Sequence, residues 1–186
     1  KFVYQRKNLL EKCTKIIFNS NWSKKKFIKD LNLDSFFRNK ICTINQSTKK
    51  NLINFQKKKK IISFVGKLNK NKGYDLFGEA IIKVLNKHND WNAYVAGDEA
   101  RDKLIYNHPK LKILGFQSHK KIINLLKKTT ISVVCSRWEE PFGRVSLEAS
   151  ANGCAVIISN RGGLPETNKH AVILEKLDVL TLFKKI

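Results

Sequence analysis

The sequence contains no methionine, only three prolines and only 15 acidic residues among 186. Its cysteines, Cys13, Cys42, Cys135 and Cys154, form no CxxC pair and have no metal-like spacing to a histidine, so we expect reduced, mostly buried thiols. No apolar run approaches the roughly 18 residues of a membrane-spanning helix, and no signal-peptide core opens the chain. These absences favour a cytoplasmic protein. A chain without an initiator methionine is expected to be trimmed or partial.

Acidic side chains are scarce, and 37 lysine and arginine residues give a formal net charge of +22. Such a charge suggests a polyanionic partner, either nucleic acid or an anionic membrane. Only six of the 37 basic residues are arginines, and the lysines occur with abundant asparagine and isoleucine, as a biased genome would produce. RRM, KH and helix-turn-helix signatures are absent from the sequence. We therefore expect no nucleic-acid partner and a largely solvated lysine surface, which is compatible with peripheral contact at the inner face of an anionic membrane.

Short apolar runs alternate with amphipathic segments from residue 61 onward. Strands are predicted at residues 61–65, 92–96, 111–114, 131–135, 155–158 and 171–174, and helices at residues 74–87, 100–106, 119–127 and 143–152, before a helix-like tail. Near-continuously apolar strands, each followed by an amphipathic helix, are typical of a parallel sheet covered on both faces. The predicted fold class is therefore α/β, with a doubly wound, Rossmann-like parallel sheet.

The segment that precedes this pattern is organised differently. A strand is predicted at residues 15–19, a helix with Ser20 as its N-cap, and another strand at residues 41–44. Residues 46–60 are polar and end in four consecutive lysines, which predicts a linker or a domain boundary.

Ligands of doubly wound sheets bind past the carboxyl ends of the strands. Five loops that carry glycines, three of them with acidic residues as well, are expected to converge there: residues 66–73, 97–99, 115–118, 137–143 and 159–166. In the first loop, Gly66 and Gly73 bracket Lys67 and Lys72, whose charges can neutralise a diphosphate. This loop matches neither the Walker pattern nor GxGxxG, and most lysines in so basic a chain are simply solvated.

A second observation comes from Glu140 and Glu148, which flank the helix start predicted at Gly143. Free amides at such a start form an anion site. Glu148 follows Gly143 by five residues, roughly 7 Å at ~1.5 Å per residue, about the step from a diphosphate to a ribose. The layout matches a nucleotide diphosphate sugar. The alternative is that Glu140 caps the helix and Glu148 lies on the surface, yet Glu148 falls among apolar neighbours, where an unpaired charge is costly.

Together these residues resemble the nucleotide-binding domain of retaining family 4 glycosyltransferases of the GT-B fold. The resemblance rests on Phe64-Val-Gly-Lys-Leu with Lys72-Gly73, Gly115-Phe116, Glu140-Pro-Phe-Gly-x4-Glu148-Ala, Asn152-Gly153 and Gly162-Gly163-Leu-Pro-Glu166. It implies that Glu140 contacts the donor hexose, that Glu148 holds the ribose, and that the catalytic set also includes Lys67 and Lys72, which neutralise the leaving diphosphate. The remaining donor-binding residues that it implies are Gly66, Phe142, Gly143, Arg144 and Val145, with Phe116 and Gln117 against the base.

The resemblance also implies an activity and a domain organisation. A hexose would move with retention from a nucleotide diphosphate sugar to a cell-envelope glycan, such as lipopolysaccharide, or to a lipid-linked acceptor, without a cofactor or a metal. Lys67 stands where the family usually has arginine, which keeps the charge but not the planar fork. Residues 1–56 are expected to be the linker and the remnant of the N-terminal domain that supplies the acceptor site, and residues 57–186 a donor domain truncated at its C-terminus. This chain alone is therefore expected to be inactive.

Two alternatives share the same residues. In the first alternative, the chain is a non-catalytic nucleotide-sugar-binding fragment. In the second, it belongs to a phosphorylase that has the same fold and uses inorganic phosphate.

Overall fold

A computed structural model of the chain describes residues 9–33, 37, 39–49, 52–101 and 103–186. Backbone contacts divide the chain into two compact units, Lys1–Ser47 and Thr48–Ile186. The division precedes the boundary predicted between residues 56 and 57, because Ile53 already packs against Gly153 of the second unit. The assignment of residues 1–56 to the remnant of a further domain stays a prediction.

Among the residues that the structure describes in the first unit, two short parallel strands flank a ten-residue helix. Strand β1 spans Ile16–Phe18, helix α1 Asn21–Asp30 and strand β2 Ile41–Thr43, with β1 paired to β2. Ser20 is the N-cap of α1, as predicted, and its side chain accepts a hydrogen bond from the Ser23 amide at 3.0 Å. Phe18 contacts Phe27 with ring centroids 4.9 Å apart.

The second unit is a six-stranded parallel sheet with helices on both faces, which confirms the predicted fold class. Its strands are β3 (Lys59–Val65), β4 (Asn92–Ala96), β5 (Leu111–Ile113), β6 (Thr129–Val134), β7 (Ala155–Ser159) and β8 (Val172–Leu174). Its helices are α2 (Tyr74–Lys87), α3 (His119–Lys128), α4 (Arg144–Ala151) and α5 (Val179–Lys185). The strand order β5-β4-β3-β6-β7-β8 places β3 and β6 at the centre, and the chain reverses direction across the sheet between them.

Side chains on the two faces of the sheet form two separate hydrophobic cores. On one face, Ile62 and Phe64 of β3 pack with Phe77 and Ile81 of α2. On the other, Ile158 of β7 packs with buried residues of α3 and α4. Because successive side chains of a strand point to opposite faces, a strand covered on both faces must be apolar at nearly every position.

A helix is predicted at residues 100–106. This prediction is wrong, because residues 100, 101 and 103–106, which the structure describes, are not helical. Residue 102 lies outside them. The Tyr106 ring packs edge-on against Tyr74 at 5.5 Å between centroids, and its hydroxyl donates to the Asp75 carbonyl at 3.3 Å. Leu104 and Tyr106 are both partly buried while their neighbours are exposed. A two-residue period of burial is typical of an extended segment. The packing that produces it outweighs the helix propensity of these residues.

All four cysteines are free thiols; Cys135 and Cys154 are buried, whereas Cys13 and Cys42 are half-buried. Burial raises the pKa of Cys135 to about 12, so this thiol is not a nucleophile at neutral pH. Over the described part of the chain, every helix is too short or too polar to cross a bilayer.

Lys58 lies in the segment that is predicted to be a linker. Its side chain binds the C-terminal ends of two helices. Its ammonium donates to the carbonyls of Leu126 at 3.0 Å, Thr129 at 2.6 Å and Asn152 at 2.7 Å. These carbonyls lie at the C-terminal ends of α3 and α4, where the helix macrodipole is negative. Burial lowers the pKa of Lys58, although the nearby Cys154 raises it.

We expect the Lys58→Met variant to be less stable by roughly 1–3 kcal/mol, because methionine keeps the apolar stem but removes the donor from three carbonyls. Urea unfolding followed by circular dichroism measures the loss. The matched control is Lys59→Met, since Lys59 is the exposed neighbour in the same run. Equal stability of the two variants would contradict the assigned role of Lys58.

Candidate functional site

The carboxyl ends of β3, β4 and β6 open into two adjoining cavities, which we call the strand-end cleft. The first cavity measures about 120 Å³, and the predicted site residues that line it are Gly66, Lys72, Glu140, Gly143, Arg144 and Val145. The second measures about 230 Å³, and its predicted lining residues are Gly66, Lys67, Phe116 and Gln117. Phe142 and Glu148 are the predicted residues that line neither cavity.

A larger cavity of about 660 Å³ lies at the other end of the sheet, beside Lys59, where β3 begins, and Lys128, where α3 ends. Its lining contains lysine, asparagine, glutamine and aliphatic side chains but no carboxylate. Size alone therefore does not identify the site. The strand-end cleft is the place where charges of both signs, a helix start and glycine-rich loops coincide.

Lys72 and Glu140 meet in the first cavity. They are 68 positions apart in the sequence, and the Lys72 ammonium forms an ion pair with Oε1 of Glu140. The Glu140 side chain is 14% exposed and that of Lys72 32%, so both keep some accessible surface. The structure thus places a cation and an anion side by side at the cavity wall.

Backbone contacts between the loops after β3 and β6 produce this pairing. The Asn71 carbonyl accepts hydrogen bonds from the amides of Arg137 at 2.9 Å and Trp138 at 3.0 Å, and from the Ser136 hydroxyl at 3.2 Å. Gly73 has a φ of +74°, and a Cβ there would lie 2.0 Å from the Cys135 carbonyl oxygen. Glycine is therefore required for the loops to come this close.

The turn at Gly162 and Gly163 fixes the backbone of Glu140 from the other side. The Gly163 amide donates to the Glu140 carbonyl at 2.7 Å, and the Gly162 amide donates to the Glu139 carboxylate at 2.6 Å. Gly162 has a φ of +59°, and a Cβ there would lie 2.1 Å from the Glu140 carbonyl oxygen. The second glycine turn of the sequence is thus a support for Glu140.

Helix α4 points its start into the first cavity. It begins at Arg144, after the N-cap Gly143, and no side chain caps it. Arg144 and Val145 line the cavity, so the first-turn amides and the positive end of the macrodipole are close to it. This geometry favours an anion.

Glu148 is buried one turn further along α4. His119 Nε2 lies 3.0 Å and Arg144 Nη2 3.1 Å from the same oxygen, Oε1. The side chain is 7% exposed, so the two partners stabilise a charge that would otherwise be expensive. Both partners bind Oε1, and Oε2 remains as an acceptor. Sequence reasoning missed His119, whose only signal was its place at the start of a helix that follows the loop after Gly115.

Glu99 and Asn69, which sequence reasoning also missed, join the loops after β3 and β4. The Asn69 amide nitrogen Nδ2 donates to Glu99 Oε2 at 3.1 Å. Arg101 donates to Glu99 from Nε at 2.8 Å and from Nη2 at 3.1 Å. Hydrogen bonds from Arg101 and then Asn69 lower the pKa of Glu99 to about 2.

The remaining residues of the predicted set differ in their exposure to solvent. Phe116 is 77% exposed at the edge of the second cavity, and Gln117 donates to its own loop at the Leu114 carbonyl at 2.5 Å. Phe142 is buried at 3% exposure, so its ring is not available to a ligand. Lys67 is exposed at the rim of the second cavity. Nowhere in the described ranges do three His, Cys, Asp or Glu side chains gather as a metal-binding group.

Comparisons with known proteins agree on one family. The family model for glycosyl transferases group 1 matches residues 45–178. An uncharacterised glycosyltransferase of Methanocaldococcus jannaschii is 36% identical over 126 residues, covering 64% of this chain and 32% of that protein. The lipopolysaccharide core biosynthesis mannosyltransferase of Rhizobium meliloti is 30% identical over 118 residues, covering 58% and 33%.

The crystal structure of HepE from Anabaena in complex with UDP-glucose aligns with a TM-score of 0.77 at 19% identity, over 98% of this chain and 56% of that one. At this identity the likeness bears on the fold alone. The chain spans about a third of the length of the curated relatives that it matches.

We expect Gly162→Ala to destabilise the protein more than Gly115→Ala, a matched control. Both glycines have a positive φ, +59° and +65°, so each alanine costs roughly 1 kcal/mol in backbone strain. Only at Gly162 would the new Cβ also meet the Glu140 backbone, whereas no atom lies within 4 Å at Gly115. Thermal unfolding compares the two variants. Equal melting temperatures would show that the contact with Glu140 is unimportant.

Acidification should destabilise the wild-type protein more steeply than Glu99→Gln. The pKa of Glu99 falls from 4.5 to about 2 on folding, so between these values the unfolded state binds more protons. The stabilisation is complete above pH 4.5 and is lost as the pH falls through about 2. Melting temperatures of both proteins between about pH 6 and pH 3 test this prediction. Parallel curves would contradict it.

Proposed function

Because the chain belongs to the glycosyl transferases group 1 family, we propose that it is the donor-binding domain of a retaining glycosyltransferase with the GT-B fold. The observation that carries the proposal is the order of groups along the strand-end cleft and the adjoining turn of α4. Glu140 lies before the start of α4, the free amides and Lys72 lie at this start, and Glu148 follows one turn later. A nucleotide diphosphate sugar has the same order of sugar, diphosphate and ribose.

The diphosphate is proposed to bind at the start of α4. Backbone amides and a helix N-terminus stabilise phosphate oxygens, and Lys72 adds a full positive charge at the same cavity. In the ion pair, Glu140 holds the Lys72 ammonium in place. A phosphate would approach the remaining donors of this ammonium. Lys67, at the rim of the adjoining cavity, supplies a second, more mobile charge.

The ribose is proposed to bind at Glu148. Arg144 and His119 both contact Oε1, which orients the carboxylate and leaves Oε2 to accept from a hydroxyl. Hydrogen bonds to an ionised, partly buried acceptor are stronger than neutral ones. The base would then lie in the second cavity, beside Phe116 and Gln117. The hexose would lie on the other side, at Glu140.

The proposed chemistry is stabilisation of a leaving group. The acceptor hydroxyl oxygen forms a bond to the anomeric carbon from the face that the diphosphate leaves, so the configuration is retained. The bond between that carbon and the diphosphate oxygen breaks, its electron pair leaves with the diphosphate, and the hydroxyl proton passes to this oxygen. Lys72 and the α4 amides lower the barrier because they bind the charge that develops on the diphosphate. We propose that the lysines and amides perform this task without a metal.

The acceptor is proposed to be a cell-envelope glycan or a lipid-linked sugar. The similar Rhizobium meliloti protein, a lipopolysaccharide core mannosyltransferase, supports this class. The high lysine content is compatible with a cytoplasmic protein that contacts the anionic inner face of a membrane. Transfer itself is proposed for a longer protein, since this chain matches about a third of its relatives' length. We expect the chain alone to bind donor without transferring sugar.

A thermal-shift panel of UDP, GDP, ADP and their hexose conjugates tests the proposal. At least one nucleotide diphosphate should raise the melting temperature, because a ligand that binds only the folded state stabilises it. A flat response over the whole panel would overturn a donor site. Inorganic phosphate belongs in the same panel, because a response to phosphate alone would favour a phosphorylase.

We expect Lys72→Ala and Glu148→Ala each to weaken binding of the responding nucleotide about tenfold or more, since each removes a hydrogen bond to a charged group. Isothermal titration calorimetry measures the dissociation constants. Lys70→Ala is the matched control for Lys72, because Lys70 lies in the same turn and is exposed. Glu148→Gln keeps the side-chain shape if the alanine variant unfolds. Unchanged affinity in the Lys72 and Glu148 variants would refute the assigned roles.

A further inference from the structure

The position of Lys72 depends on a hydrogen-bonded link that starts outside the ligand cavities. Lys72 ends a short 3-10 turn, Lys70–Lys72, whose N-cap is Asn69. The Asn69 side-chain oxygen accepts from the Lys72 amide at 3.0 Å, and the Asn69 carbonyl accepts from the Tyr74 amide at 3.1 Å. Asn69 therefore binds the backbone at Lys72 itself and just after it, at Tyr74.

The other half of the Asn69 amide is fixed by Glu99. Nδ2 donates to Glu99 Oε2 at 3.1 Å, and Arg101 donates to both oxygens of the same carboxylate. The Glu99 side chain is 7% exposed, so it has little surface left for a ligand. The Leu68 amide also donates to the Asp98 carbonyl at 3.3 Å, which joins the same two loops through their backbones.

We propose that Asn69 and Glu99 are positioning residues that hold the Lys72 backbone so that its ammonium faces the diphosphate site; this inference rests on the proposed function. Neither residue touches the ligand. Lysine has a flexible four-carbon stem, and part of its binding energy is lost when both stem and backbone must be ordered on binding. A backbone that is already fixed leaves only the stem to be ordered. An amide has one acceptor end and one donor end, so Asn69 caps the turn and binds Glu99 at once.

A double-mutant cycle between residues 69 and 72 tests the proposal. Wild type, Asn69→Ala, Lys72→Met and the double variant are titrated by calorimetry with UDP, GDP and ADP, and the nucleotide that the wild type binds is repeated as its monophosphate. We expect Asn69→Ala to weaken diphosphate binding about fivefold to tenfold, consistent with the loss of a capping side chain. Monophosphate binding should change less than about twofold, and Asn69→Ala should have no more than this effect when residue 72 is already methionine.

Two further variants separate positioning from general damage. Asn71→Ala is the matched control, because Asn71 lies in the same turn and contributes its backbone carbonyl, which alanine keeps. It should bind like the wild type. Glu99→Gln weakens the link from its far end and should reduce diphosphate affinity about threefold, which keeps the proposal testable if Asn69→Ala does not fold.

Specific outcomes overturn the inference. If Lys72→Met weakens diphosphate binding while Asn69→Ala and Glu99→Gln do not, the two residues do not position Lys72. If Asn69→Ala has its full effect in the Lys72→Met background, Asn69 acts independently of the lysine. If the wild type binds none of the nucleotides, the proposed function itself fails, and this result is distinct from the other two.

Discussion

The first cavity of the strand-end cleft depends on the close approach of two backbone segments, residues 69–73 after β3 and residues 135–140 after β6. The Asn71 carbonyl accepts three hydrogen bonds from the second segment, and Gly73 contacts the Cys135 carbonyl where no Cβ would fit. Because β3 and β6 are the central strands, where the sheet reverses direction, the two loops diverge beyond this contact and leave a crevice. The Lys72–Glu140 ion pair and the first cavity, which residues of both segments line, follow from this one contact.

Charge is distributed unevenly between surface and site. Most of the 37 basic residues cannot each have an acidic partner of their own, because the chain has only 15 acidic residues. Two lysines nevertheless have defined roles: Lys58 binds three carbonyls at helix ends, and Lys72 pairs with Glu140. Two acids beside the cleft are likewise paired, Glu99 with Arg101 and Glu148 with Arg144. A binding site in so basic a protein is therefore distinguished by where its few carboxylates lie, and net charge says little about it.

Much of the fold was predictable because both faces of the central sheet are covered. The strand at residues 92–96 and the helix at residues 74–87 have the predicted bounds, since long apolar periodicity leaves few alternatives. The helix predicted at residues 100–106 is wrong because the burial of this segment depends on one contact. That contact is between Tyr106 and the α2 surface, and the local sequence does not encode it. Among the site residues, those at loop glycines and at the α4 start could be found from spacing. His119, Asn69 and Glu99 could not, since each matters through a partner 29 or 30 positions away.

The sequence by itself determined the fold class and the order of Glu140, the helix start and Glu148 along one edge of the sheet. These properties follow from local rules: the periodicity of apolar residues, the direction of parallel strands and the rise of a helix. Only the tertiary structure decided that Lys72 pairs with Glu140, that Glu148 is held through one oxygen, and that Lys58 binds the ends of two helices of the domain. These are contacts between residues distant in sequence, and their geometry is set by strand order and by the closeness of backbones, which no local pattern contains.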